Sequence, residues 1–111
     1  IGKYHDNYIY APIKKYHGYS WYDREKIAAQ LPKQYDFVLI DGPPKKFGRK
    51  GFYHNLDLFK SDVTLLFDDT HRRGEKRLIK KVAKKLGRSY KTYRRKILGG
   101  FGIIPKNTSR L

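Results

Sequence analysis

The sequence has 111 residues, with 26 Lys and Arg against 10 Asp and Glu, which gives a formal net charge of +16 and a pI near 10.1. This length predicts one domain over residues 1–111, and a content of 39% hydrophobic and 15% aromatic residues excludes disorder along the whole chain. Cysteine is absent, which excludes a disulfide scaffold and a thiolate zinc site, and no apolar run approaches the ~18 residues of a membrane span. We expect a cytoplasmic protein without a membrane span. Because the sequence starts at Ile1 and lacks methionine, we also expect it to be part of a longer protein.

The first third of the chain predicts a short strand followed by a helix. Residues 7–13 form a β-rich run that Pro12 stops. Ser20 and Asp23 have the spacing of a capping box, which predicts a helix that ends near Leu31.

Two apolar runs in the middle of the chain predict two strands. Residues 35–41 form a continuous apolar run bounded by glycine and proline, the pattern of a strand buried on both faces. Residues 62–68 predict a second buried strand. Between them, Phe52, Leu56 and Phe59 recur at helical spacing.

The last third of the chain predicts a helix and a hairpin. A helix is expected over residues 73–86, with Gly87 as its C-terminal cap. Residues 90–98 and 101–105 are predicted as two strands joined by the dipeptide Gly99-Gly100 in a two-residue turn. The apolar stripe of the helix comprises Leu78, Ile79, Val82, Ala83 and Leu86.

Strands that alternate with helices and end in a hairpin predict an α/β layered domain, with a mostly parallel sheet and a C-terminal antiparallel hairpin. Ligands of such sheets bind beyond the carboxyl ends of the strands. Asp41 follows the first buried strand, and Asp68 and Asp69 end the second. If the two strands pair in parallel, the three carboxylates converge, which suits a hard cation or proton transfer. The alternative is structural: one of the pair caps the next helix, and Asp41 braces the turn that follows it.

Basic and aromatic residues supply further candidates. His71 follows the acidic pair and is a candidate base, although a loop histidine is more commonly just exposed. Fifteen of the Lys and Arg residues lie beyond residue 69, against Glu75 as the only acid there. This tail favours RNA or another polyanion as a partner, while a solvated charged surface is the alternative. The candidate contacts to an anion are Lys45, Lys46, Arg49, Lys80, Lys84, Arg94 and Arg95.

The runs Tyr-Asp-Phe-Val-Leu-Ile-Asp-Gly-Pro-Pro at residues 35–44 and Asp-Val-Thr-Leu-Leu-Phe-Asp-Asp-Thr-His-Arg at residues 62–72 resemble the fourth and fifth strands of class I S-adenosylmethionine-dependent methyltransferases, a Rossmann-like fold. Residues 8–13 and 21–23 resemble the third strand and the segment after it, and the glycine hairpin resembles the sixth and seventh strands. The resemblance covers almost the whole chain.

The resemblance implies a role for particular residues. It places Asp41, Gly42 and Pro43 beside S-adenosylmethionine, and Trp21, Tyr22 and Asp23 near its adenine. In members similar to catechol O-methyltransferase, a divalent cation is held by acids in the places of Asp41, Asp68 and Asp69. Catalysis would fall to Asp41, Asp69 and His71.

The first two strands of the family, including the glycine-rich loop, are absent from this sequence. The leading hypothesis is therefore the C-terminal portion of a methyltransferase that acts on a hydroxyl or amine of an anionic substrate and is completed by an N-terminal segment or an oligomer partner. The alternative is a non-catalytic basic module of the same ancestry that binds RNA or another polyanion.

Overall fold

The computed structural model shows a small α/β fold with a four-stranded mixed sheet, a separate two-stranded hairpin and three α-helices. The residues that the structure describes are 10–43, 45–48, 50–70, 72–95 and 99–106.

The chain opens with an antiparallel hairpin of β1 (Ile13–Tyr16) and β2 (Tyr19–Tyr22). Gly18 adopts a φ of 87° in the turn, a conformation that glycine reaches without steric cost. Of the strand predicted over residues 7–13, Ile13 belongs to β1, whereas residues 10–12 precede β1 without being in a strand. Residues 7–9 lie outside the described residues. Within the described part of the chain, the hairpin does not pair with the main sheet.

The first helix, α1 (Arg24–Gln30), starts three residues later than the capping-box prediction implies. Ser20 lies inside β2, and the N-cap is Asp23, whose carboxylate accepts hydrogen bonds from the backbone N–H groups of Glu25 and Lys26 at 3.1 and 3.4 Å. An aspartate at this position satisfies amide groups that the first turn leaves without partners. The predicted end of the helix is confirmed, with Leu31 as the C-cap.

The main sheet has the strand order β3-β4-β6-β5. β3 pairs in parallel with β4, while β6 is antiparallel to both β4 and β5. Three strands therefore share one direction, and the last strand of the chain is inserted between two of them. The strands are β3 (Phe37–Ile40), β4 (Thr64–Asp68), β5 (Lys91–Arg95) and β6 (Gly99–Ile104).

The C-terminal hairpin is confirmed, but its turn is not at Gly99-Gly100. Both glycines belong to β6, where they pair with Arg95 and Arg94. Gly100 and Gly102 are buried, and a β-carbon at Gly102 would lie 2.6 Å from Cδ1 of Ile79 on the covering helix. Gly102 therefore allows the helix to approach the sheet closely.

Short helices connect β3 to β4, and a long one connects β4 to β5. The helical spacing of Phe52, Leu56 and Phe59 is divided between α2 (Lys50–His54) and a 3₁₀ turn at Leu56–Leu58. The long helix α3 (Arg73–Leu86) has the predicted boundaries, and Gly87 caps it with a φ of 66°. No helix of the described residues has the length and apolar character needed to cross a bilayer.

The helices cover one face of the main sheet, here called the helix face. Phe52 of α2 contacts Phe67 of β4 edge-on at 5.9 Å, and Ile79 of α3 lies against β6 at Gly102. The buried core lies between these layers. It comprises Trp21, Ile27, Ile40, Phe52, Val63, Leu65, Phe67, Leu78, Ile79, Val82, Ala83 and Ile104.

The opposite face, here called the open face, has no covering helix among the described residues. Successive side chains of a strand point to opposite faces, so the residues between the buried ones face outward. Phe37 and Leu39 of β3 are 57% and 59% exposed, and Tyr93 stacks on Phe101 at 4.8 Å with both rings partly in solvent. The prediction that the first apolar strand is buried on both faces is therefore wrong for β3.

Candidate functional site

The parallel pairing of β3 and β4 brings three aspartates to one edge of the sheet. Ile40 and Phe67 are paired in register, so Asp41 and Asp68 come next on neighbouring strands. One carboxylate oxygen from each of Asp41, Asp68 and Asp69 can be chosen so that all three lie within 4.8 Å of one another. The convergence predicted from the sequence is confirmed, and we call these three residues the acidic cluster.

The chain leaves β4 through a tight turn that orients the acidic pair. Asp69 adopts a φ of 60°, in the left-handed region that aspartate reaches more readily than most residues. Its backbone N–H donates to Oδ1 of Asp68 at 2.9 Å, and its carbonyl accepts from the N–H of Arg72 at the same distance. The N-cap of α3 is Arg72, so neither aspartate occupies the capping position that the structural alternative requires.

Asp41 opens the loop that follows β3. Gly42 comes next, and a β-carbon there would overlap the hydroxyl of Tyr22, so glycine lets β2 approach the end of β3. The peptide bond between Gly42 and Pro43 is cis, and Pro43 is buried. The loop and β2 therefore form one packed unit beside the acidic cluster.

A cavity of about 490 Å³ lies along the outer edge of β3 and reaches Asp41. We call it the β3 pocket. Small-molecule sites are usually about 300–1,000 Å³ in volume. The lining is mainly apolar and comes from both hairpin and helices: Ala11, Trp21, Tyr22, Ile27, Leu31, Val38, Leu39, Ile40, Asp41, Gly42, Phe52 and Phe59.

The β3 pocket brings together four of the six residues that the resemblance assigns to the cofactor. Trp21, Tyr22, Asp41 and Gly42 line it. Trp21 is buried and meets Tyr22 and Phe59 edge-on at 5.6 and 6.4 Å, so its ring forms part of the wall. Asp23 and Pro43 do not line the pocket. Asp23 caps α1.

The predicted anion contacts whose side chains the structure describes lie on three different segments of the chain. Lys46 is exposed on the loop after β3, where its ammonium lies 5.1 Å from the centre of the Phe47 ring. Lys80 and Lys84 are exposed on α3, and Arg94 is exposed on β5. Arg49 and His71 lie outside the described residues, as do the side chains of Lys45 and Arg95.

Two buried polar side chains were not singled out from the sequence. Thr70, the residue after the acidic pair, is buried, and its hydroxyl has no hydrogen-bond partner within the described part of the chain. Asn55 is also buried, and its amide donates to the carbonyl of Gly51 at 2.7 Å. Only their location in apolar surroundings sets them apart, and a single sequence does not show it.

Two arginines join separate parts of the chain. Arg24 donates to both carboxylate oxygens of Asp57 at 3.0 and 2.6 Å, and this contact lowers the pKa of Asp57 and raises that of Arg24. Arg88 donates to the backbone carbonyls of Ser61, Val63, Ile104 and Pro105, and burial lowers the pKa of its guanidinium. Both arginines stabilise the fold at positions away from the acidic cluster.

A second cavity, also of about 490 Å³, lies near the end of α3, with Lys85 and Arg88 in its lining. It contains Asp57 as its acid and no member of the acidic cluster. The β3 pocket is therefore the cavity that combines apolar walls with one of the converging carboxylates.

Comparison of the chain with family models, with curated proteins and with solved structures finds no match.

Proposed function

We propose that the chain is the C-terminal portion of an S-adenosylmethionine-dependent methyltransferase that acts on a hydroxyl or amine of an anionic substrate. The observation that carries the proposal is the convergence of the acidic cluster at the carboxyl ends of two parallel strands, beside a pocket of ligand size. Open α/β sheets bind their ligands at this position.

The residues of the β3 pocket fit a nucleoside-containing cofactor in their chemistry. Tyr22 offers an aromatic ring and Asp41 offers a carboxylate that can accept hydrogen bonds from hydroxyl or amino groups. Bound S-adenosylmethionine would supply an electrophilic methyl group. The chain's contribution would be to align the acceptor with that group and to remove the acceptor's proton, for which Asp69 is the candidate base.

The acidic cluster also fits a divalent cation in its donor chemistry. Carboxylate oxygens are the ligands that Mg²⁺ and Ca²⁺ prefer, and three of them lie within 4.8 Å of one another. Asp41, Asp68 and Asp69 would hold the ion, whose charge would favour the deprotonated form of an acceptor hydroxyl. Exposed carboxylates also occur together without a metal, so the cation remains a secondary part of the proposal.

The open face supports the view that further polypeptide completes the domain. Parallel strand pairs are typically covered on both faces, whereas β3 and β4 are covered on one. β3 also has β4 as its only partner strand among the described residues, which leaves one edge of a four-residue apolar strand open. Further polypeptide on the open face would bury Phe37 and Leu39.

Calorimetry with S-adenosylmethionine on the full-length protein that carries this chain tests the proposal. We expect binding in the micromolar range, and we expect Asp41→Asn to weaken it about tenfold or more, as the loss of a hydrogen bond to a charged group does. Asp36→Asn is the matched control, because Asp36 is an exposed aspartate just before the opposite end of β3. Absence of binding, or equal loss in both variants, would contradict the proposal.

A further inference from the structure

Every exposed position between residues 76 and 85 of α3 carries a positive charge. The exposed pairs alternate with buried apolar pairs, so the charged residues form two rows along the helix, each with a spacing of four residues or about 6 Å. We call this surface the α3 basic face. It comprises Lys76, Arg77, Lys80, Lys81, Lys84 and Lys85.

The α3 basic face places like charges next to one another. Like charges four residues apart destabilise a helix by about 0.2–0.5 kcal/mol for each pair, and the helix dipole opposes the cations of the first turn but favours Lys84 and Lys85 in the last turn. The acid of the helix, Glu75, is buried. Among the described residues the recorded ion pair joins Arg24 to Asp57 and includes none of the six cations.

The carboxylate of Asp57, which interacts with Lys85, is already engaged. Lys85 contributes to the lowered pKa of Asp57, but the main cause is the bidentate contact from Arg24. Lys81 and Lys85 also lie over the Tyr53 ring, at 5.8 and 4.5 Å from its centre. Both ammonium groups thus contact the same ring, which carries no net negative charge.

The packing of α3 favours a polyanion over a membrane as the partner. Leu78, Ile79 and Val82, which would have to enter a bilayer, are buried against the sheet. Amphipathic helices that bind membranes insert their apolar face, and this helix has no apolar face left to insert. Binding at the α3 basic face is therefore limited to charge and hydrogen bonding, which matches a chain of regularly spaced phosphates.

We propose that the α3 basic face binds the phosphate backbone of a nucleic acid without selecting its bases. Lysine rows contact phosphates as point charges and carry little base information, so affinity is expected to depend on salt more than on sequence. This inference goes beyond methyl transfer, because it requires only α3 and the core beneath it.

Fluorescence anisotropy with a labelled polyuridylate of roughly 20 nucleotides tests this inference. The variant replaces Lys80, Lys81 and Lys84 with glutamine, which has a similar helix propensity. The control replaces three exposed lysines elsewhere, Lys15→Gln, Lys26→Gln and Lys33→Gln, and loses the same charge. We expect the α3 variant to bind about tenfold or more weakly, with the slope of log K against log salt smaller by about 2.

Replacement of the same three α3 lysines with arginine retains the charge and is expected to retain binding. Circular dichroism shows whether each variant is folded. A labelled duplex of the same sequence length identifies the form of nucleic acid, and binding of either form supports the phosphate contact. The inference is overturned if the two glutamine variants weaken binding equally, if the α3 variant binds normally, or if the protein binds phosphatidylserine vesicles but neither nucleic acid.

Discussion

At the scale of single residues, the acidic cluster is the part of the site that the sequence predicts best. Asp41 and Asp68 each follow an apolar run, and the chain between those runs is helical. A helical connection favours parallel strands, whose carboxyl ends meet at one edge. The convergence therefore follows from local patterns. The burial of the Thr70 hydroxyl does not follow from local patterns, because it depends on how α3 and β6 pack around this residue.

The contact between Arg24 and Asp57 gives a pH-dependent prediction. Arg24 lowers the pKa of Asp57 in the folded protein. The pair therefore stabilises the fold fully above the ordinary aspartate pKa of about 3.9, and this stabilisation is lost as the pH falls through the lower pKa of the folded state. The side chains of Arg24 and Asp57 are 38% and 67% exposed, so solvent screens the pair, and Asp57→Asn is expected to lower the free energy of unfolding by at most about 1 kcal/mol at pH 7.

Urea denaturation at pH 7 and at pH 3 measures this difference. The difference in the free energy of unfolding between the native protein and Asp57→Asn is expected to be smaller at pH 3 than at pH 7. Asp36→Asn, at an exposed carboxylate outside the pair, provides the reference. If this difference in the free energy of unfolding is the same at both pH values, the charges of Arg24 and Asp57 do not contribute to stability.

At the scale of elements, α3 is predicted to the residue, whereas the glycine hairpin is misplaced. The helical spacing of the apolar residues in α3 and the glycine cap at Gly87 are local signals, and tertiary contacts reinforce them. Gly99-Gly100 is locally typical of a turn, but both residues pair with β5, Gly99 with a φ of 78°, and Gly102 of the same strand allows the close approach of α3. A single sequence does not distinguish a glycine needed for a turn from one needed for packing.

Two helical glycines allow a matched test of element packing. A β-carbon at Gly51 of α2 would overlap the Trp21 ring, whereas one at Gly74 of α3 would have no atom within 4 Å. Gly51→Ala is expected to destabilise the protein by about 1–3 kcal/mol through overpacking. Gly74→Ala is expected to stabilise it by up to about 1 kcal/mol, because alanine has the higher helix propensity.

Equilibrium unfolding in urea compares these two alanine variants directly. The free energy of unfolding is expected to fall in Gly51→Ala and to rise in Gly74→Ala. If Gly51→Ala is as stable as the native protein, Trp21 is not packed against α2, and the wall of the β3 pocket has to be revised.

At the scale of the whole molecule, the difference between the sequence pattern and the fold lies in β3. Its continuous apolar sequence is the pattern of a strand covered on both sides, and the described chain covers one side. The pattern is thus consistent with a sheet that is larger than the one present. What covers the remaining surface is not encoded in residues 37–40.

The open face predicts the association behaviour of the isolated chain. An exposed apolar strand with a free edge promotes intermolecular pairing. Leu39→Lys places a charge at a largely exposed position, so we expect a change in stability within about 0.5 kcal/mol and a marked loss of self-association. Sedimentation velocity measures the association. Gln34→Lys adds the same charge at another exposed position and is expected to leave self-association unchanged.

The most direct test of the account is an NMR titration of the full-length protein with S-adenosylhomocysteine, the product form of the cofactor. The account predicts that amide shifts concentrate at Tyr22, Gly42 and Asp69, where the β3 pocket adjoins the acidic cluster. Shifts confined to α3, or none at saturating ligand, would contradict a cofactor site at the carboxyl ends of β3 and β4.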